Sequence, residues 1–143
     1  VAKCHVKSPA SLSDASNNYY FFLRLAANAY SGFWTQNNSV GLYYRHSENS
    51  GKWFLRSTNS GGTSTELDSG ITFAVDTEYE LMVSLNDAGD EATFWINGAV
   101  VGRITTNLPA STAVGWSLQL EKTAGSSARS MKLYRFIGAA IAP

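Results

Sequence analysis

The stretch Asp76-Thr77-Glu78-Tyr79-Glu80 sets three carboxylates at alternate positions. On a β-strand, residues two apart share a face, so neighbouring acids would stand roughly 6.6–6.8 Å apart along the backbone. That separation falls in the range used by carboxylate pairs that hydrolyse glycosidic bonds. The first acid, however, belongs to an Asp-Thr turn opening a strand, where an aspartate side chain ordinarily caps backbone amides. Glu66-Leu67-Asp68 lies in a Ser/Thr/Gly-rich stretch and makes a weaker pair. His5 and His46 are the only histidines, and neither fits a metal-ligand motif. No nucleophile elbow is present, and Gly61-Gly62-Thr63 lacks the strand and helix that a phosphate loop requires. Asn86, Asp87 and Asp90 carry calcium-type oxygens but read as a solvated hairpin tip. The residues therefore predict no catalytic group, no metal and no cofactor.

The elements that position these groups are strands. Tyr79, Leu81, Val83 and Leu85 alternate with Glu80, Met82 and Ser84, a period of two that puts one face in a core. Asn86-Asp87-Ala88-Gly89-Asp90 turns the chain. Alternation resumes with Ala92, Phe94 and Ile96 against Thr93, Trp95 and Asn97. Asn97-Gly98 is a strong hairpin signal, and a third strand runs from Ala99 to Thr105. Further strands are expected over 1–7, 19–27, 40–46, 52–56, 71–75, 114–121 and 131–141, with a long loop or short edge excursion over 58–70. Tyr19–Ala27 (YYFFLRLAA) is aromatic on both faces, as in a central strand covered on each side or lining a groove. Trp116 follows the core register and reads as structural. No helical periodicity beyond about two turns competes with this pattern, so the prediction is an all-β antiparallel sandwich or jelly roll.

With 143 residues, the chain is expected to form one domain (1–143) with a single core, excised from a larger protein because it opens on Val1. Charged residues make up only 15%, and eleven cations cancel eleven acids, which gives no basic stripe for nucleic acid and no attraction to anionic membrane. No apolar run approaches the roughly 20 residues of a membrane-spanning helix. Cys4 is alone and is expected to be a buried small hydrophobe. Abundant serine, threonine, asparagine and glycine suit an extracellular or virion β-protein.

The run F-x-V-D-T-x-Y-x-L-x-V-S-L-N, a glycine turn, and A-T-F-W-I-N-G-x-x-V-G resemble the central meander of concanavalin A-like lectin/glucanase jelly rolls. Legume lectins, laminin-G-like modules and laminarinase-type glycoside hydrolases share that fold, and the version in phage tail-fibre and virion proteins is the most similar in flavour. The resemblance covers the C-terminal half. Glucanases of the group carry a similar E-x-D-x-E strand, from which the D-x-E-x-E order here departs. The resemblance implies a non-catalytic, lectin-like host-recognition domain of a virion fibre that holds a cell-surface glycan on the concave side of one sheet. A polar face of Ser84, Asn86, Thr93, Trp95, Asn97, Ser117, Gln119 and Glu121 would supply the site, with Trp95 as a platform flanked by Asn97 and Gln119. Tyr43, Arg45, Trp53 and Arg56 would add aromatic and planar cationic groups to the same groove or to a subunit contact, while for Trp53, Tyr43 and Tyr44 ordinary packing in the core or an interface is the favoured reading. The alternative is a structural assembly domain, a homo-oligomer and possible trimer, with the aromatics between subunits. A glycoside hydrolase stands behind both.

Overall fold

A computed structural model describes residues 1–16, 18–27, 37–45, 51–110 and 115–138. The described residues form ten strands: β1 (Ala2–Lys7), β2 (Tyr19–Ala26), β3 (Ser39–Arg45), β4 (Lys52–Thr58), β5 (Ser64–Thr72), β6 (Glu78–Leu85), β7 (Ala92–Ile96), β8 (Ala99–Ile104), β9 (Gly115–Lys122) and β10 (Lys132–Gly138). They make two five-stranded sheets, β10-β1-β6-β7-β8 (sheet A) and β5-β4-β3-β2-β9 (sheet B). All the pairings are antiparallel. The expected meander is β6-β7-β8. Its second turn has φ of 52° at Asn97 and 79° at Gly98, the two left-handed residues of a tight hairpin. Its first is closed by Asn86, whose Oδ1 accepts the N–H groups of Asp90 and Glu91. The amide that might have served calcium is thus bound to its own hairpin.

The strands face each other through alternate residues. Tyr19, Phe21, Leu23 and Leu25 of β2, Val40, Leu42 and Tyr44 of β3, and Trp53 and Leu55 of β4 point at sheet A. Sheet A answers with Ala2, Cys4 and Val6, then Tyr79, Leu81 and Val83, then Phe94 and Ile96. Burying each large side chain stabilises the fold by about 1.5–3 kcal/mol. Phe73 plugs the core beside Tyr44, ring centroids 3.7 Å apart, and meets Trp53 at 5.2 Å. Gly102 of β8 leaves a slot for Leu55, since a Cβ there would collide with Leu55 Cδ1.

Two segments depart from expectation. Of the two readings of 58–70, the edge excursion is the one found, but as a nine-residue edge strand over 64–72, and the strand expected over 71–75 is only the end of it. Its exposure on both faces erases the hydrophobic alternation that would have announced it. Trp116 keeps the core register, opposite Leu25, yet is 49% exposed. The reason is that β9 is the outermost strand of its sheet. Its indole packs on Phe136, centroids 4.0 Å apart, and lies against Gly138, joining the edges of the two sheets. Trp34, His46, Val114 and the tail beyond Gly138 lie outside the described residues. No helix among the described residues is long and apolar enough to cross a membrane.

Burial pushes the Cys4 thiol up to about 12 from an ordinary 9.0, against a hydrogen bond from the Leu81 backbone. Below pH 9 the folded and unfolded chains both hold that proton. Between 9 and 12 the unfolded chain releases it first, so stability falls as pH rises. The phenols of Tyr19, Tyr43 and Tyr44, also raised chiefly by burial, act in the same direction. Urea midpoints should therefore decline above pH 9, less steeply in Cys4→Ala. An alkylating reagent at pH 8 should leave native Cys4 unmodified and label it in denaturant; rapid labelling of the native protein would contradict its burial. Gly102→Ala should cost about 1–3 kcal/mol by overpacking against Leu55, read from the same denaturation curves.

Candidate functional site

Strand β2 presents Tyr20, Phe22 and Arg24 on the face turned away from sheet A, and its neighbours complete three rungs across sheet B. The first runs Glu121, Tyr20, Arg45. The second runs Gln119, Phe22, Tyr43, Phe54, Asp68. The third runs Ser117, Arg24, Gly41, Arg56, Glu66. Tyr20, Phe22, Tyr43 and Phe54 form a second buried cluster, separate from the main core. Tyr43 is stacked on Phe54 at 5.5 Å and tilted against Phe22 at 5.7 Å.

Cations are set among these rings. The Arg24 guanidinium, fully buried, sits 4.6 Å above the Phe22 ring centre and donates from Nε to Ser117 Oγ at 3.1 Å. It also hydrogen-bonds the Tyr43 side chain; burial lowers its pKa, against Tyr43 and Glu121. The Tyr43 hydroxyl is pushed up by burial, against the pull of Arg24, a hydrogen bond with Ser39, and Arg56. Gly41 is required between Arg24 and Arg56, because a Cβ there would come within 2.5 Å of the Leu23 carbonyl oxygen and 2.7 Å of Arg24 Cβ. Arg45 lies 4.8 Å over the Tyr20 ring centre. Arg56 donates to Ser64 Oγ from Nε at 3.3 Å and Nη2 at 2.9 Å and pairs with Glu66 at 3.4 Å. Lys52 pairs with Asp68 at 2.9 Å.

Of the residues expected to form a site, Tyr43, Arg45, Arg56, Gln119 and Glu121 share this face. Trp53 does not. It is fully buried in the main core, 5.5 Å from Phe21 and 5.4 Å from Tyr79. Tyr43 pairs with Phe54, so the preceding residue turns inward. Trp95 and Asn97 belong to the opposite side of the molecule, on the outer face of sheet A. There Trp95 pairs with Met82 and Val100, and Asn97 Oδ1 accepts the Glu80 N–H at 2.8 Å. The full thickness of the core separates Trp95 and Asn97 from Gln119 and Glu121, so the expected single polar face is two faces. Tyr20, Phe22, Arg24 and Phe54 were not anticipated as site residues, although the two-faced aromatic pattern of 19–27 was the signal for the first three.

The acid strand also lies on the outer face of sheet A, each carboxylate held by β1. Asp76 meets Lys7 at 2.8 Å, Glu78 meets His5 at 3.1 Å, and Glu80 meets Lys3 at 2.8 Å. The Tyr134 hydroxyl donates to Glu78 at 3.0 Å and, with His5, holds that carboxyl below its ordinary value. A general acid in glycoside hydrolysis requires the reverse shift. Among the described residues, no three His, Cys, Asp or Glu side chains gather as a metal site.

A family model described as "SO2946-like, C-terminal domain" matches residues 23–133, well over half of the chain. The chain belongs to this family. The match to the SO2946-like C-terminal domain takes in Arg24, Tyr43, Arg45, Arg56, Gln119 and Glu121. A Bacillus licheniformis β-glucanase has a similar structure, with a TM-score of 0.62 at 9% identity over 94% of this chain. The chain spans 63% of that protein's length. The likeness establishes the concanavalin A-like jelly-roll sandwich as the fold. No curated protein sequence matches the chain.

Arg24→Ala is expected to cost about 2–4 kcal/mol, because it opens a cavity beside Phe22 and leaves the Tyr43 and Ser117 hydroxyls short of a partner. Lys3→Ala, at an exposed pair, should cost less than about 1 kcal/mol. Denaturant titration compares them, and equal costs would remove the structural weight placed on Arg24.

Proposed function

We propose that this domain is a non-catalytic carbohydrate-recognition module whose ligand lies along the outer face of sheet B. The observation that carries the proposal is the gathering of Arg45, Arg56, Gln119 and Glu121, all partly exposed, around a floor of four buried rings. Sugar hydroxyls are recognised by amide, carboxylate and guanidinium groups. Neighbouring positions on a sheet form a grid of roughly 4.8 by 6.7 Å, about the scale of a hexose. A packed aromatic floor fixes those groups before the ligand arrives, which lowers the entropic cost of binding. A glucanase with the same fold is compatible with a carbohydrate ligand. The non-catalytic reading is supported by the acid strand, which lies on the other sheet with every carboxylate paired. The setting proposed is extracellular or on a virion surface, with a cell-surface glycan as partner. A composition low in charge and rich in hydroxyl and amide groups supports it.

A second reading, assembly into a homo-oligomer, draws on one rung of sheet A. Ile137, Lys3, Met82, Trp95 and Val100 pair in sequence across all five strands, with Ile137 and Val100 exposed.

A glycan array followed by calorimetry on the whole chain separates the two. Recognition through sheet B predicts a ligand whose affinity falls at least tenfold in Gln119→Ala and Arg56→Ala and is unchanged in Trp95→Ala. A chain that binds no glycan, yet forms in light scattering an oligomer that Trp95→Ala dissociates, would establish assembly instead.

A further inference from the structure

Among the described residues, four strands have a neighbour on one side only: β8 and β10 in sheet A, β5 and β9 in sheet B. An unpaired edge presents a row of backbone donors and acceptors to any other strand, and proteins ordinarily blunt it with charges or breaks in pairing. Three of the four edges are blunted in both ways. Glu66 and Asp68 stand on β5, Arg103 on β8, and Lys132 and Arg135 on β10, and the ladder joining each strand to its inner neighbour shifts register once. The fourth edge, β9, has neither device. It pairs with β2 from Lys122 opposite Tyr19 to Gly115 opposite Ala26 without a shift, and it holds no charge from Gly115 to Leu120.

The side chains along this edge sort by face. Trp116, Leu118 and Leu120 form an inward row in which Trp116 is 49% exposed and the two leucines are only partly buried. Apolar surface is therefore left open along the seam where β9 and β10 end the two sheets. After Lys122 the chain bends toward β2, where the N–H groups of Thr123 and Ala124 donate to the Asn18 carbonyl at 2.9 and 3.3 Å. It thus leaves β9 toward the inner neighbour and not along the outer edge.

We infer that β9 is a self-pairing edge: two copies of this chain join antiparallel through β9, about a two-fold axis at Leu118, and merge their five-stranded sheets B into one of ten strands. Directly opposed residues of an antiparallel pair share a face, so this register sets Trp116 opposite Leu120 of the second copy, Ser117 opposite Gln119, and Gly115 opposite Glu121. Apolar residues meet apolar ones, polar meet polar, and the charged end of each strand lies beside the uncharged end of the other. No like charges are opposed. By contrast, β10 carries cations alone, Lys132 and Arg135, and would gather like charges on pairing with itself. At about 3.3 Å per residue the β9 edge is roughly 26 Å long, and a sandwich side of that length buries about 1,000 Å² in a pair, the lower limit of specific interfaces. The dimer is accordingly weak and concentration-dependent. This inference does not rest on the glycan reading, and its surface is not the Trp95 rung.

The test is analytical sedimentation of the full chain over a range of concentrations. A reversible dimer is expected, with a dissociation constant about tenfold or more higher in Trp116→Lys and unchanged in Trp95→Ala, melting temperatures showing that both variants fold. Leu118→Cys gives a second readout that keeps the edge intact. Residues directly opposed across an antiparallel pair have Cα atoms about 4.5–5.5 Å apart, within reach of a disulfide. With oxidised glutathione as oxidant, Leu118→Cys should form a covalent dimer and Val100→Cys on β8 should not, while buried Cys4 stays out of reach. A chain that remains monomeric to about 1 mM would overturn the inference. So would a dimer lost in Trp95→Ala but kept in Trp116→Lys, or equal crosslinking of the two cysteine variants. None of these outcomes bears on glycan binding by a single chain.

Discussion

Every side chain of β2 from Tyr19 to Ala26 is buried, and a strand buried on both faces must be packed on both. Its odd-numbered residues belong to the sandwich core. The even-numbered ones create a different requirement, because Arg24 is a cation that cannot be left in an apolar setting without partners. Ser117 from β9, the hydroxyl of Tyr43 from β3 and the ring of Phe22 supply them. Holding one buried guanidinium through these contacts thus ties β9, β2 and β3 to one another. It also holds in place the rings on which Arg45, Gln119 and Glu121 are displayed. The rigidity of the candidate face follows from that requirement rather than from any feature of its exposed residues.

The two outer faces handle charge by different physics. On sheet A, Lys3, His5 and Lys7 and their carboxylate partners are substantially exposed, so water screens each pair and each contributes little to stability. On sheet B the cations are drawn into a lower-dielectric setting among rings, where a charge interacts more strongly with whatever faces it. A ligand charge arriving there would be felt more than one arriving over the ladder of sheet A.

The strand content was legible in the sequence because period-two alternation and turn chemistry are local. Tyr79 to Leu85, Asn97-Gly98 and the two-faced 19–27 all stand where their residues imply. What alternation cannot reveal is which sheet a strand joins. Trp95 and Gln119 each face outward from their own strand, and grouping them on one face required the two strands to share a sheet, which they do not. A second limit was one of phase, which left Trp53 open between the core and the site. Trp53 and Phe54 are adjacent aromatics in a hairpin, and only the pairing of Tyr43 with Phe54 decides which of the two turns inward. The third concerned the length of β5, expected as a loop or a short edge excursion, because an edge position removes the selection for apolar residues that makes strands visible. Long-range pairing was absent from the sequence signal in all three cases.

The same logic constrains the acid strand. Tyr79, Leu81 and Val83 must face the core, so the period of β6 turns Glu78 and Glu80 outward on sheet A. No local rearrangement brings them to the other face, because a one-residue slip would expose the three apolar residues in exchange. An acid on the outer face of sheet B has to come from the strands of that sheet. Across β9, β2 and β3, the outward positions of the three rungs are Glu121, Gln119, Ser117, Tyr20, Phe22, Arg24, Arg45, Tyr43 and Gly41. On β4 and β5 the same rungs add Arg56, Glu66 and Asp68, and both of these acids are paired, Glu66 with Arg56 and Asp68 with Lys52. The acids of this face therefore reach it through the register of sheet B and not from the strand that carries Glu78 and Glu80.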